Sequence, residues 1–498
     1  MVNASVVNRP GLSREMGLLG LVATGICSMI GAAINVIPFM IQRNVPGIGP
    51  YVLPAYLFAA VPAILAALAY AILASAMPRA GGSYVYASRA LNPYLGFVAS
   101  FSQWFGLSIA IGVVSYVLIP FLRDITAALG FASLAASLDG GVVRPLLALA
   151  FLWTFVVVNL RGVRSYERAL VPLMFLMFAL GAVVIVAGFS FDHADFAAAI
   201  RGSEEAPLPS PGATEFHFGT FLAAACLLFS SFIGFDSIAQ AGGEAKDPAR
   251  SLPLAIGISM VTVATFYMLF TAAVYHAVPW TYVAREAQTH DLTAPGLLGR
   301  LLPPAWTVAI VAGAAVSLAN DLPAMLLAVS RLMFAWAEDG IFPRVFGRVH
   351  PRWHTPHVAI VASGLMASVG ILGSHLAGDF FLGVDILVTS MLVNFLLMCV
   401  SVLALPWRNP AIAKNVRVLP SRRAQVPVAL LGTLLLGAFL VVHVAKDLSA
   451  PVSAWYLRST PAWLGVMAVA TILYAREMGR LRRSGVDVEA AFAVLPPE

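Results

Sequence analysis

The sequence predicts an all-α integral membrane protein with twelve transmembrane helices. Three observations carry this prediction: the composition, the lengths of the apolar runs, and two matching interruptions in the first and sixth runs. The chain has 498 residues, of which 60% are hydrophobic and only 11% are charged, and its mean hydropathy is +0.87. Since soluble globular chains carry about 25% charged residues, most of this chain is expected to lie in lipid.

The apolar runs are long enough to cross a bilayer, because a spanning helix needs about 20 residues. The predicted spans are residues 16–42, 50–77, 86–122, 142–160, 166–189, 216–241, 252–277, 304–337, 357–376, 380–406, 425–445 and 460–477. No hydrophilic stretch between them is long enough for a separate soluble domain. The predicted parts are a cytoplasmic N-terminus (1–15), a ten-helix core (16–406, with halves 16–189 and 216–406), a basic cytoplasmic loop (407–424), a terminal helix pair (425–477) and a cytoplasmic tail (478–498).

The distribution of basic residues predicts the orientation. If the N-terminus lies inside, most of the 30 lysines and arginines fall in the inner loops. This asymmetry follows the positive-inside rule and predicts that both termini are cytoplasmic. It also accounts for the net charge of +6, so no nucleic-acid partner is expected. The N-terminus is short and polar, and the span after it is too long for the apolar region of a cleaved signal peptide.

Two runs of the pattern Ser-x-Ile-Gly interrupt the first and sixth spans, at residues 28–31 and 231–234. Unwound backbone inside a bilayer is tolerated only where it is buried in protein or lines a cavity. Breaks at corresponding places in two halves of a membrane protein indicate the binding site of a secondary transporter. Spans 1–5 and 6–10 enter the membrane from opposite sides, so two similar five-span units would be inverted repeats. The alternative is that these small residues only allow close helix packing.

Several motifs along the chain resemble the amino acid–polyamine–organocation (APC) permease family. They are MPRAGGSY at 77–84, FSSFIGFD at 229–236, GEAKDPARSLP at 243–253, SRLMFAWAEDGIFP at 330–343, VHP at 349–351 and TP at 355–356. The resemblance implies a LeuT-like core of five-plus-five inverted repeats with broken first and sixth helices, followed by two terminal helices. It also implies that the substrate binds at mid-membrane, between the two breaks.

The resemblance further implies which atoms hold the substrate. The backbone N–H groups of Gly31, Ala32 and Ala33 would bind a carboxylate at the positive end of a half-helix dipole. Carbonyl groups just before each break would accept hydrogen bonds from the substrate amine. These carbonyls belong to Met29, Ile30, Ser230 and Ile233, and the remaining predicted substrate-binding residues are Asn35, Ser231, Phe232, Gly234 and Met325.

The chain departs from the family pattern at both breaks. The first helix usually reads GSGIF, whereas residues 31–35 here read GAAIN, so a serine hydroxyl that could bind a carboxylate is missing and the loop is stiffer. The sixth helix usually has a large aromatic gate where this chain has Ser230. Either Phe229 or another helix supplies the lid, or the site is roomier and more polar. Both departures argue against an ordinary apolar amino acid as the substrate.

Asp321 lies well inside the eighth span, where ionisable residues are costly and usually functional. Sodium-coupled relatives in the family place a cation at this position, and some proton-coupled relatives place a lysine of the fifth helix there. The fifth span of this chain has no lysine. Asp321 could therefore bind a proton, hold Na⁺ or pair with a cationic substrate. Alternatively, Asn320 and Asp321 satisfy backbone groups freed by Pro323. Asp236 is predicted either to gate the site or sense protons, or to belong to a polar network below it.

These observations predict a secondary active transporter of amino acids or related small amines, working by alternating access in a bacterial or archaeal inner membrane. Transport would be exchange or coupled to H⁺ or Na⁺, and no other cofactor and no metal site is expected. A carrier of polyamines or other organic cations without a carboxylate is the alternative. A transporter-like sensor is a more distant one, because it would need an output domain. We find no enzyme signature and expect a monomer or homodimer.

Overall fold

The computed structural model describes residues 12–138, 140–201, 215–377, 381–449 and 458–496. Within these ranges all regular secondary structure is helical. The β-type contacts found there are two isolated bridges, between Met16 and Ala245 and between Ala80 and Ala241. The described chain is therefore a helical bundle, which confirms the predicted fold class.

We number the α-helices in chain order. They are α1 Leu18–Met29, α2 Ala32–Asn44, α3 Val52–Ala76, α4 Gly82–Ala90, α5 Pro93–Ala128, α6 Ala132–Leu138, α7 Val143–Leu160, α8 Val163–Ser190, α9 His193–Arg201, α10 Phe218–Leu228, α11 Asp236–Gln240, α12 Pro248–Ala277, α13 Trp280–Glu286, α14 Ala294–Leu298, α15 Pro304–Glu338, α16 His357–Ala377, α17 Phe381–Arg408, α18 Pro410–Ala413, α19 Arg422–Ser449, α20 Ser459–Arg483 and α21 Val488–Ala493.

Eleven helical segments in the described ranges are long and apolar enough to cross a membrane, judged by length and composition. They coincide with the first eleven predicted spans, to within a few residues at most boundaries. The twelfth predicted span, 460–477, lies in α20, which has 25 residues and is therefore also long enough to cross a bilayer. This helix is more polar and ends in a turn that contains Arg480, Arg482 and Arg483, so it falls outside the set of eleven.

The third span begins later than hydropathy alone predicts. It was expected from residue 86, but α4 is a separate helix and α5 begins at Pro93. The Asn92 side chain accepts a hydrogen bond from the Leu95 N–H at 2.8 Å. Asparagine is a favoured N-cap residue and proline is favoured at the first helical position. Local capping therefore decides this boundary, and hydropathy does not record it.

The first and sixth spans are broken at the predicted runs. Between α1 and α2, Ile30 and Gly31 have non-helical backbone angles, with φ/ψ of −87°/91° and −138°/−125°. In the sixth span, α10 leads into a 3₁₀ turn over Phe229–Phe232, after which Ile233 is extended and Gly234 has φ of 139°. Glycine adopts positive φ without steric cost, so the second break depends on Gly234.

The two breaks contact each other directly. A methyl group added to Gly234 would lie 2.5 Å from the carbonyl carbon of Ser28 and 2.8 Å from the backbone nitrogen of Met29. The side-chain oxygens of Ser28 and Ser237 are 2.9 Å apart and share a hydrogen bond. The backbones of the two half-helices can therefore approach this closely only because residue 234 has no side chain.

Longer helices surround the broken pair. Helix α1 packs against α8, α12 and α15, while α5 packs against α15, α16 and α17. Helices α19 and α20 both contact α17. The breaks therefore lie in the interior of the bundle, where backbone without helical hydrogen bonds can be buried in protein.

Candidate functional site: a cavity between two broken helices

A cavity of about 60 Å³ lies beside the two breaks. Its polar side chains are Ser28, Ser230 and Asp321, and its apolar wall includes Met325 and the valines of α5. Since about 10–15 Å³ suffices for one water molecule, the cavity has room for several waters or a small solute. Of the described residues that line it, Asp321 is the one with an ionisable side chain.

Asp321 is almost completely buried, with 3% of its surface exposed. Its Oδ1 atom has no hydrogen-bond donor among the described residues, and neither lysine, arginine nor histidine is found in the described wall of the cavity. A buried carboxylate without a partner is costly. The geometry therefore suits a cationic group or a proton that enters the cavity and binds Asp321.

The first break is braced by side chains from other helices. The Tyr267 hydroxyl donates to the Met29 carbonyl. The Asn35 amide donates to the Gly31 carbonyl at 3.3 Å and to the Ser317 hydroxyl at 3.2 Å. The Met29 carbonyl and the Asn35 side chain, both predicted to bind substrate, thus already have partners within the protein. Asn35 holds the break in place rather than lining the cavity.

Helix α2 presents its N-terminus at this break. Gly31 is the N-cap residue and provides no side-chain cap, while Ala33 lies in the cavity wall. The first N–H groups of a helix lack intrahelical partners and carry partial positive charge. This end of α2 can therefore accept a carboxylate, as the family resemblance implies.

At the second break, Ser230 and Ile233 line the cavity. The Ser230 hydroxyl donates to the Leu227 carbonyl at 2.7 Å, and the Ser230 carbonyl accepts from the Ile233 N–H at 3.2 Å. A hydroxyl that donates within its own helix keeps its oxygen as an acceptor for a substrate donor.

The aromatic residues of the second break point away from the cavity. Phe229 packs against Phe395 and Phe439, with ring centroids 6.0 and 5.9 Å away, and Phe232 packs against Tyr56 and Tyr267. Neither phenylalanine is in the cavity wall. The position of Phe229 therefore gives no support to its predicted role as a lid. Ser231 is buried outside the wall as well.

Asn320 does not face the cavity, although it neighbours Asp321. Its amide donates to the Cys27 sulfur at 2.8 Å. The carbonyl of Pro323 accepts from the Asn159 amide at 3.3 Å, but this is not the Ala319 carbonyl, four residues earlier, that the proline leaves without a donor. The alternative in which the two residues satisfy freed backbone has no hydrogen bond to support it in the described chain.

Asp236 belongs to a buried polar network below the cavity. Its Oδ1 accepts from the Gly234 N–H at 3.1 Å, and its Oδ2 accepts from the Gln103 amide. The Gln103 carbonyl oxygen in turn accepts from Asn394 at 2.7 Å and from Gln240 at 3.2 Å. Gln103 and Gln240 were not predicted as site residues. The sequence feature that could have identified them is a polar amide side chain in the middle of an apolar span.

Two buried ion pairs close the end of the bundle that is predicted to be cytoplasmic. Arg331 of α15 binds Glu244 through two contacts, of 2.5 and 3.1 Å, and neither side chain is more than 2% exposed. Arg89 of α4 binds Asp339, with one contact at 2.9 Å. The sequence analysis assigned most basic residues to the inner side of the membrane and did not predict that these two arginines would be buried. Together the pairs connect α4 and the segment after α11 to α15.

The end of the chain covers the second ion pair. The Arg89 guanidinium donates to the Val494 carbonyl at 3.1 Å, and the Phe492 ring lies 4.7 Å from its central carbon. Arg79 donates to the Pro496 carbonyl at 3.2 Å. The residues around α21 thus pack over the same end of the bundle that the ion pairs close.

A bundle whose first and sixth spans break around a buried cavity defines the class of membrane transporters with a LeuT-like core. The model of the family described as amino acid permease matches residues 16–469. The chain therefore belongs to this amino acid permease family, within the APC superfamily, and is a multi-pass membrane protein.

Individual relatives agree with this assignment. The chain is similar to the branched-chain amino acid permease BcaP of Bacillus subtilis, with 26% identity over 82% of this chain and 84% of that protein. It is 27% identical to the low-affinity putrescine importer PlaP of Escherichia coli, over 68% and 69% of the two chains. It is 24% identical to the methylthioribose transporter of Bacillus subtilis, over 95% of each chain. All three names describe transporters of small molecules.

Proposed function

We propose that this protein is a secondary active transporter of amino acids or related small amines in the inner membrane, with both termini cytoplasmic. The observation that carries the proposal is the buried Asp321 carboxylate at the cavity, where the described wall contains no cationic side chain. A protonated amine would supply the missing charge and could also donate to the oxygen of Ser230. Branched-chain amino acids and putrescine, named for two of the relatives, share an amine.

A substrate without a carboxylate is the second candidate, and the position of Asp321 favours it. The carboxylate lies against Gly31, next to the N-terminus of α2 where a substrate carboxylate would bind. Two carboxylates at this short distance repel each other unless one is protonated or a cation lies between them. An amino acid would therefore need a proton or Na⁺ at Asp321, whereas a simple amine or polyamine would not.

Alternating access requires the closed end of the bundle to open. For a solute to reach the cytoplasm, the Glu244–Arg331 and Arg89–Asp339 pairs would have to separate or move together with α15. The cavity is buried in the present conformation, which suits the solute-protected stage of such a cycle.

The proposal is tested with purified protein and then with proteoliposomes. Amino acids, amines and organic anions are screened by thermal shift, because ligand binding raises apparent stability by mass action. Amines or amino acids should raise Tm, and the best ligand should accumulate in vesicles that contain the protein but not in empty vesicles. Tight binding of organic anions with no binding of amines would contradict the proposal. Binding without uptake would instead indicate a sensor.

A further inference from the structure

A second and larger cavity lies between α3 and α12, with a volume of about 820 Å³. Its wall is apolar and consists largely of small and aliphatic residues, including Ala67, Ala71, Gly257, Met260 and Ala264. It shares no residue with the cavity at Asp321. Gly257 faces open space, since a methyl group added there would meet no atom within 4 Å. We call this feature the α3–α12 groove.

Two arginines border the groove at its predicted cytoplasmic end. Arg250 lies in the first turn of α12 and Arg417 in the segment before α19, and both are exposed. The backbone of Arg417 is anchored to the end of α3, because its N–H donates to the Ser75 hydroxyl at 3.0 Å. Neither guanidinium forms an ion pair within the described ranges.

Helix stability does not explain the position of Arg250. A cation in the first turn of a helix is disfavoured by the helix dipole, and an anion bound there would reverse this effect. The part of α12 that lines the groove runs from Ala249 to Thr265, which corresponds to about 24 Å of helix. This exceeds the depth of one leaflet, about 15 Å of hydrocarbon, so the groove can accept an acyl chain along the depth of the leaflet.

We propose that the α3–α12 groove binds an anionic phospholipid, with one acyl chain along the apolar wall and the phosphate held by Arg250 and Arg417. Charge complementarity selects this occupant, because the wall is apolar and the bordering charges are positive. The site would lie in the cytoplasmic leaflet, where anionic headgroups attract juxtamembrane arginines. The proposal does not depend on which solute is transported.

Binding is measured on the full-length protein in detergent by native mass spectrometry, with thermal shift as a second readout. The probes are dioleoyl phosphatidylglycerol, dioleoyl phosphatidylcholine and glycerol phosphate. We expect phosphatidylglycerol to bind at least tenfold more tightly than phosphatidylcholine, and glycerol phosphate alone to bind weakly. Arg250→Gln and Arg417→Gln should each weaken phosphatidylglycerol binding about fivefold.

Matched variants separate the groove from general effects. A Cβ atom added at Gly257 or at Gly437 of α19 meets no atom within 4 Å. Gly257→Phe places a ring at the groove and should weaken both lipids, whereas Gly437→Phe should weaken neither. Arg352→Gln removes an exposed arginine from the same predicted side and should leave lipid binding unchanged. Equal binding of the two lipids, or no loss in the Arg250→Gln, Arg417→Gln double variant, would overturn the proposal. Equally tight binding of glycerol phosphate would indicate a soluble anion site instead.

Discussion

Asp321 and Gly31 lie in direct contact across the break in the first span. A methyl group added to Gly31 would lie 2.9 Å from the Cγ atom of Asp321, closer than two carbon atoms can approach. The eighth span therefore presents its carboxylate at the N-terminus of α2. This contact places a negative charge, a helix dipole and the cavity within one small region, and the first predictions concern that charge.

Asp321→Asn should weaken the binding of amine substrates by about 10- to 100-fold, because a hydrogen bond to a charged group contributes about 1.5–3 kcal/mol. The substitution keeps the size of the side chain and removes its charge, and affinity is measured by thermal shift or isothermal titration. Ion dependence then assigns the role of the carboxylate. Loss of pH-driven accumulation with exchange retained indicates a proton site, and loss of sodium stimulation indicates a Na⁺ site. If affinity, pH dependence and ion dependence all stay the same, Asp321 has only a structural role.

Removing the carboxylate from a substrate should improve its binding to the wild-type protein. Leucine and 3-methylbutylamine form a matched pair that differs only in that group. The comparison is made without sodium, at a pH where Asp321 is ionised and the amines of both ligands are protonated. We expect the amine to bind more tightly there, because Asp321 repels the leucine carboxylate at the N-terminus of α2. In Asp321→Asn the preference should disappear or reverse. A stronger preference of the wild type for leucine under these conditions would argue against the repulsion.

Side chains at the two glycines of the breaks should abolish transport while the protein still inserts and purifies. Gly31→Leu would displace Asp321, and Gly234→Leu would force a side chain into the backbone of Ser28 at a φ that costs about 1–3 kcal/mol in strain. Uptake is measured in proteoliposomes with matched amounts of protein. Gly465→Leu is the control, since a side chain there meets open space. Full uptake by either variant at a break would remove the basis for the site assignment.

Breaking the buried Glu244–Arg331 pair should destabilise the protein strongly. Glu244→Gln or Arg331→Gln leaves one buried charge without its partner, which typically costs about 3–5 kcal/mol, measured by denaturant unfolding of helical signal. The double variant Glu244→Gln, Arg331→Met should recover much of this loss. Additive losses in the double variant would show that the two side chains act independently.

The exposed Glu15–Arg164 pair is the control for this experiment. Its contacts are as short, at 2.7 and 3.0 Å, but exposed ion pairs contribute little, so Glu15→Gln should have a small effect. The hydrogen bonds from Arg164 lower the pKa of the Glu15 carboxyl. Its small contribution is therefore present above the ordinary glutamate pKa and is lost as the pH falls through the lowered value.

Much of the architecture follows from the sequence. Apolar runs of spanning length predicted twelve spans, and eleven of them coincide, to within a few residues at most boundaries, with described helices long and apolar enough to cross a membrane. The repeated Ser-x-Ile-Gly pattern located both breaks, because glycine is needed where backbone leaves the helical conformation or approaches another backbone. Asp321 was predicted as a key charge because a carboxylate is costly among apolar residues. Each of these features depends on the local sequence and on the surrounding lipid.

The tertiary structure decided which groups pair with each other. Tyr267 occupies the Met29 carbonyl, Phe229 packs away from the cavity, Gln103 binds Asp236 and Arg331 binds Glu244. Lipid and protein interior are both apolar, so hydropathy does not distinguish a side chain that faces one from a side chain that faces the other. The partners are also far apart in the chain, 238 residues in the case of Tyr267 and Met29. Only the packing of the helices brings such residues together.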